Sequence, residues 1–398
     1  MKRLLTLGFL AALLNLGNGQ ELVAQDLLIT NARIIDGNGG TIEQGSVVVR
    51  NGRIASVSAG TTAAPGLMEI DAQGMTLMPG FIDAHRHIMR GDADQWFSEQ
   101  ASDRMQEFLD AGFTTILSAG DSIEGILELR RRLAEGELAG PRLLTSGRAS
   151  TTVSEEEARA QVRTASEAGV DVVKSRIEFA LEGERAKEIL MAITDEARKV
   201  DIPVMVHAAT PIDMIASVEA GVDRLVHIPH GGWLDDTDGA RMVADAGIPM
   251  TSTLGFGVPV FGVYGDDNVP RFRNGGPWPD SVPRGGMIRP AGEKAVNARY
   301  LWEAGVTIGF GTDTGFHPKD SLAHELRPLN LVFSAPDIIA MLGKNAAVFL
   351  EMEDEIGTLE AGKAADMVIL DGDPLDDIYD VLHIGMVIQG GRVVVDNR

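Results

Sequence analysis

The sequence predicts an α/β fold: a (β/α)8 TIM barrel with a small β-sandwich domain formed by the N- and C-terminal segments. Three observations carry that reading. The middle of the chain alternates strand-like and helix-like stretches eight times. The helical stretches repeatedly end in Ala-Gly just before the next strand, where glycine supplies a left-handed cap. Short β-rich runs broken by tight turns fill both ends of the chain.

Residues 1–20 read as an export signal. Lys2-Arg3 precede an apolar core from Leu4 to Leu14, and small and polar residues follow through Gly17-Asn18-Gly19. That core is too short to span a bilayer comfortably, and no later stretch reaches the required length. The mature protein is therefore expected to be periplasmic or secreted, with no membrane attachment once the signal is removed. The chain has no cysteine. This excludes disulfides, thiolate ligands, a cysteine nucleophile and a lipid-bearing cysteine. The formal net charge of −23 argues against nucleic-acid or anionic-membrane binding, which needs basic patches.

At 398 residues the chain exceeds one ordinary core. Residues 21–77 and 354–398 are assigned to the small β-domain. The first part holds Leu27-Leu28-Ile29-Thr30, Ser46-Val47-Val48-Val49 and Ile54-Ala55-Ser56-Val57, with Asn51-Gly52 as a hairpin turn. The second holds Asp366-Met367-Val368-Ile369-Leu370, Met386-Val387-Ile388 and Val393-Val394-Val395.

Residues 78–353 are assigned to the barrel. Its expected strands are Met78–His87, Phe113–Ser118, Arg142–Thr145, Val170–Ser175, Val204–His207, Arg224–Ile228, Ile248–Thr253 and Thr307–Thr312. Amphipathic stretches lie between them, among them Ser154–Ala168, Glu184–Val200 and Pro290–Ala304. A doubly wound open sheet is the competing architecture, but no G-x-G-x-x-G or G-x-x-x-x-G-K-[ST] loop supports it. One long irregular stretch, Gly255 to Arg289, breaks the rhythm. Its aromatics favour an ordered lid.

Barrel enzymes carry their chemistry where strands end. The first strand ends in His85-Arg86-His87. The i, i+2 spacing puts both imidazoles on one strand face, where two neutral rings can grip a divalent metal. Alone, such a pair is more often just polar surface. The fourth strand ends in Lys174-Ser175, the fifth in His207, the sixth near His227 and the eighth in Gly311-Thr312-Asp313. Four of the eight histidines thus fall at strand ends.

Lys174 is costly in a barrel mouth unless paired or modified. Carboxylation by CO2 would make it a carbamate able to bridge two cations; a salt bridge to Asp313 or Asp121 is the alternative. Asp313 can serve as metal ligand and as proton acceptor. His230 and His317 follow strands six and eight and are either substrate contacts or solvated. His324 and His383 read as structural or surface residues.

These residues carry a resemblance. Pro79-Gly80-Phe81-Ile82-Asp83-Ala84-His85-Arg86-His87, Gly169-Val170-Asp171-Val172-Val173-Lys174, Val206-His207-Ala208, Ala220-Gly221-Val222-Asp223-Arg224-Leu225-Val226-His227 and Gly311-Thr312-Asp313 resemble the metal-dependent amidohydrolase superfamily. The closest branch joins imidazolonepropionase-like proteins to Xaa-Pro dipeptidase-type enzymes with a carboxylated lysine. Ile356-Gly357-Thr358-Leu359-Glu360-Ala361-Gly362 continues the likeness into the tail.

The resemblance implies two divalent metal ions, with zinc the expected metal. His85, His87 and Asp313 would hold one and His207 and His227 the other, with carboxylated Lys174 and a hydroxide between them. Imidazolonepropionase itself is disfavoured, being usually mononuclear and without this lysine. The pattern departs from dipeptidase-type relatives after strand three (Gly147 to Ser154, short), at Ser118-Ala119-Gly120-Asp121, at Ala208-Ala209 and at Gly343.

The leading expectation is a secreted binuclear hydrolase that cleaves an amide or peptide C–N bond in a small-molecule substrate such as a dipeptide or N-acyl amino acid. Asp313 is its expected catalytic residue. Tyr264, His230, Arg271 and Arg273 are the expected substrate contacts, the tyrosine at an oxyanion and an arginine at a carboxylate. Hydrolysis of an ester, lactone, carbamate or phosphotriester at the same site is the alternative; a non-catalytic binding protein is a third. A homo-oligomer is compatible with the sequence.

Overall fold

In the computed structural model, residues 25–234, 237–255 and 288–398 are described. The expected export signal, Tyr264, Arg271, Arg273 and most of the Gly255–Arg289 stretch lie outside them. Among the described residues, no helix is long and apolar enough to cross a membrane.

The chain begins with five strands: β1 (Leu27–Ile35), β2 (Thr41–Arg50), β3 (Arg53–Ala59), β4 (Met68–Asp71) and β5 (Thr76–Pro79). Eight barrel strands follow: β6 (Phe81–Arg86), β7 (Phe113–Ser118), β8 (Arg142–Arg148), β9 (Val172–Arg176), β10 (Val204–His207), β11 (Arg224–Val226), β12 (Met250–Thr251) and β13 (Ile308–Gly309). The last three strands are β14 (Met367–Leu370), β15 (Ile384–Gln389) and β16 (Arg392–Asp396).

Strands β6 to β13 pair in parallel, in sequence order. Backbone bonds from Ala84 N to Phe310 O (3.0 Å) and from Asp313 N to His85 O (2.8 Å) then join the first strand to the segment around the last. The expected (β/α)8 architecture is the observed one. The five Ala-Gly helix exits, at Gly112, Gly169, Gly221, Gly247 and Gly305, all have positive φ, between +67° and +96°.

A second sheet draws on both ends of the chain, in the order β16-β15-β14-β5-β1-β2-β3, with β4 beside β1. Alternate residues of its strands, among them Leu27, Ile29, Val47, Leu77, Met367, Ile369 and Ile388, form a separate apolar cluster. The sequence reads Met78–His87 as one strand, but the structure divides it at Gly80. Met78 and Pro79 pair with Val368 and Met367 in the terminal sheet, and the barrel strand begins at Phe81. A Cβ on Gly80 would lie 2.4 Å from Thr114 Oγ1, so only glycine allows the chain to change sheets there. The departure at Gly343 has a similar cause, since a Cβ there would meet Gly357 O at 2.6 Å.

Candidate metal centre and active site

At the C-terminal rim of the barrel the ladder continues past the strands as single backbone bonds. Ala119 N donates to Arg86 O (2.7 Å), Ala149 N to Lys174 O (3.0 Å), Ile177 N to His207 O (3.2 Å) and Thr253 N to Gly311 O (3.1 Å). This ring holds the residues that carry the polar side chains. Three of them, His227 (φ +80°), Thr253 (+40°) and Asp313 (+49°), sit in left-handed backbone conformations that side chains other than glycine rarely adopt. Such strain clusters at functional sites.

Asp313 is at the centre. Its Oδ1 lies 3.0 Å from His87 Nε2 and 3.4 Å from His85 Nε2, and its Oδ2 lies 3.6 Å from His227 Nε2. His227 Nε2 also faces His207 Nδ1 at 2.7 Å, while its Nδ1 meets Thr253 Oγ1 at 2.8 Å. Lys174 Nζ is 2.9 Å from His85 Nε2 and donates to Ala119 O at 3.0 Å. All six expected strand-end residues are therefore brought together. Lys174 makes no ion pair with Asp313 or Asp121, so that alternative lacks its contact. Among the described residues, one ligand atom each of His85, His227 and Asp313 all lie within 4.8 Å of one another. That grouping cuts across the expected division into a His85–His87–Asp313 group and a His207–His227 group.

Burial decides the protonation of the rings. It pushes His85 down to about 4, with the charge of Lys174 adding to the effect, and pushes His207 down to about 3. His227 is lowered well below its ordinary value by burial, with His207 beside it adding to the effect. His87, partly exposed, moves the other way because Asp121 and Asp313 bond it. Asp313 is buried, which opposes ionisation, yet the surrounding histidines hold it well below the usual carboxylate range. The result is three neutral imidazoles and one carboxylate with nitrogen facing nitrogen at hydrogen-bond distance. That donor set suits a divalent cation. Lys174 as an ammonium does not, and it fits only if it turns away or loses its positive charge.

These shifts predict how metal-stripped protein responds to acid. Unfolded imidazoles take a proton near 6.5, whereas folded His85 and His207 resist down to about 4 and about 3. Between those limits the unfolded state binds more protons, so stability is full above about pH 6.5 and is lost as pH falls. His85 alone contributes about 3 kcal/mol over that window at 1.36 kcal/mol per unit, partly offset by His87. Thermal melts of metal-free protein from pH 8 to 4 should show Tm falling throughout the lower half. A flat profile would mean that the folded rings take up protons at the same pH as unfolded ones.

Several groups support the centre in ways the sequence reading did not assign. Asp121 Oδ2 accepts from Ile88 N and Ser118 Oγ, both at 2.8 Å, and Oδ1 stands 3.8 Å from His87 Nδ1. Asp83 accepts from His85 N (3.2 Å), Thr312 N (3.1 Å) and Thr312 Oγ1 (2.7 Å), which clasps the two ligand-bearing segments. Behind His227, buried Lys294 donates to Thr253 O at 3.1 Å, and buried Glu325 accepts from Leu254 N and Gly255 N at 2.7 and 2.6 Å. Burial raises Glu325 to about 7 and lowers Lys294 to about 8.

His230 lies on the loop after β11. Its backbone N–H donates to Ala209 O at 2.7 Å, and its ring is largely buried near Ile228. His317 stands near Glu107 (3.9 Å), and His383 bonds Asp380 (3.2 Å). His324 holds Gly255 O at 2.8 Å. A cavity of about 930 Å³ opens beside the centre. His87, Lys174 and His207 line it together with Arg148, Thr151 and Arg176.

Comparison with known proteins gives this geometry a context. Residues 76–394 match a family model described as the amidohydrolase family. An imidazolonepropionase of Geobacillus kaustophilus (strain HTA426) is 25% identical, covering 90% of this chain and 92% of its own. Among solved structures, a Bifidobacterium longum protein assigned as a prolidase superposes with a TM-score of 0.78 at 27% identity, over 94% of this chain and 95% of its own. A Xaa-Pro dipeptidase with bound methionine has a TM-score of 0.76 at 22% identity, over 92% and 99%.

Proposed function

The chain belongs to the amidohydrolase family and is a hydrolase acting on carbon–nitrogen bonds, and from that premise we propose an exported, binuclear metal-dependent enzyme that cleaves the amide or peptide bond of a dipeptide or N-acyl amino acid. The observation that carries the reading is the meeting of His85, His87, His207, His227, Asp313 and Lys174 at the barrel rim, beside a cavity of about 930 Å³. Lys174 in that cluster favours the peptidase-type relatives over imidazolonepropionase. The prolidase-assigned neighbour at 27% identity supports the same choice.

Divalent metal ions, zinc in this proposal, held by the histidines and Asp313 would polarise the scissile carbonyl and lower the pKa of the attacking water. The chain's own groups supply the rest. Asp313 stays ionised and so is ready to accept a proton on its carboxylate and return it to the leaving nitrogen. Asp121 and Asp83 hold the first strand's histidines and Asp313 in place. Neutral imidazoles leave their lone pairs free for the metals.

The test is a hydrolysis screen of zinc-loaded enzyme over dipeptides, N-acyl amino acids, esters and lactones. Turnover of the first two classes is expected, and activity confined to esters or lactones would sink the peptide reading. Export rests on Lys2-Arg3 and the Leu4–Leu14 core. Mass measurement of protein from its native host should place the N-terminus near Gln20, and an intact Met1 would remove the proposal.

A further inference from the structure

The cavity beside the metal centre carries a cation that no carboxylate pairs with among the described residues. Arg148 ends β8 and is in register with Lys174 of β9. Registered residues of a parallel pair point to the same face. Lys174 points inward to His85, so Arg148 also projects into the barrel mouth, and it lines the cavity with His87, Lys174 and His207. Its Nη2 donates to Gly120 O, and no ion pair reaches it from any described carboxylate. Arg176, two residues beyond Lys174 on the same face, is different because Glu178 already pairs with it.

The loop is shaped to hold this guanidinium. Gly120 has φ +112°, and a Cβ there would lie 3.0 Å from Arg148 Nη2 and 3.2 Å from Nε. The bare glycine lets the planar group rest on the turn whose neighbours, Ala119 and Asp121, contact Lys174 and His87. A guanidinium fixed at one nitrogen keeps other N–H groups for a ligand. Arg148 is exposed to the cavity rather than buried against Lys174. A ligand entering the cavity would therefore reach it.

We propose that Arg148 is the anion subsite of the reaction cavity and takes the carboxylate of the substrate through parallel N–H···O bonds. This deepens the function proposed above and rests on it. It assigns to the end of β8 a task that the sequence alone suggests for Arg271 or Arg273.

The experiment compares N-acetyl-L-leucine with N-acetyl-L-leucinamide on zinc-loaded wild type, Arg148→Gln and Arg148→Lys, with metal content measured for each. Wild type should prefer the acid in kcat/KM by about ten- to a hundredfold, the range for a hydrogen-bonded charge. Arg148→Gln should lose that preference with its metal retained, and Arg148→Lys should recover part of it. A preference that survives Arg148→Gln overturns the proposal by placing the carboxylate elsewhere. Loss of metal in that variant also overturns it, because Arg148 would then be a countercharge for a modified Lys174. Equilibrium dialysis of the same two ligands separates this idea from the proposed function. If neither is turned over, the function fails, while tighter binding of the acid that Arg148→Gln abolishes would still support the subsite. Equal binding of acid and amide to wild type would end it.

Discussion

Asp313→Asn at full metal loading should lower kcat by about 10²–10⁴-fold, the usual contribution of general acid–base catalysis, with a much smaller change in KM. The side chain sits within 3.0–3.6 Å of three imidazole nitrogens, so its charge acts at the centre of the cluster. Asparagine keeps the shape but cannot accept the proton released by an attacking water. It is also the appropriate substitution for the backbone. Residue 313 has φ +49°, a conformation that Asn and Asp tolerate better than other side chains. The variant should therefore fold, and the loss should read as chemistry. Metal content must be measured alongside, because the same carboxylate is an expected ligand. A drop below tenfold at full loading would hand the proton transfer to another group. His230, largely buried on the loop after β11, is the next candidate.

Asp313 also shows what was legible in the chain beforehand. Its place after Gly311-Thr312 at the end of an apolar run follows from the barrel's beat, as do the places of His85, His87, Lys174, His207 and His227. Strand ends are visible because the pattern of burial stops there. What lies behind them is less visible. Lys294 and Glu325 fall in amphipathic helices, where single charges read as solvent-facing, yet both are fully buried around the end of β12. Local sequence cannot show that a helix face turns toward another loop's carbonyls. Strand lengths are blurred for a related reason. Ile248–Thr253 and Thr307–Thr312 look like full strands, but regular pairing covers only Met250–Thr251 and Ile308–Gly309. The residues that follow leave the ladder to aim side chains, as the positive φ of Thr253 and Asp313 records. How the ligands group is hidden too, since it depends on side-chain direction rather than on order along the chain.

Lys174→Ala should lose bound metal and at least about 10²-fold in activity, the upper range for removing even an outer-shell partner of a metal. An ammonium beside two cations would be repelled, so the lysine must change before it can belong to a metal centre. Its surroundings prepare that change. Burial, with Arg148 nearby, lowers its pKa to about 8, which leaves an appreciable share of free amine near neutral pH. The free amine can attack the carbon of CO2 and lose a proton, giving a carbamate anion with two oxygen donors. Placed 2.9 Å from His85 Nε2, the tip of the side chain is already among the ligand atoms. Removing it by truncation leaves a small void lined by Ala119 O and His85. A small carboxylate such as propionate can enter that void and replace the lost oxygens. Partial return of metal stoichiometry and rate on adding propionate is the expected result, and chloride at equal ionic strength should do nothing. Full metal content and rate in Lys174→Ala without any additive would reduce the lysine to a polar neighbour of His85, and the binuclear proposal would lose its bridge.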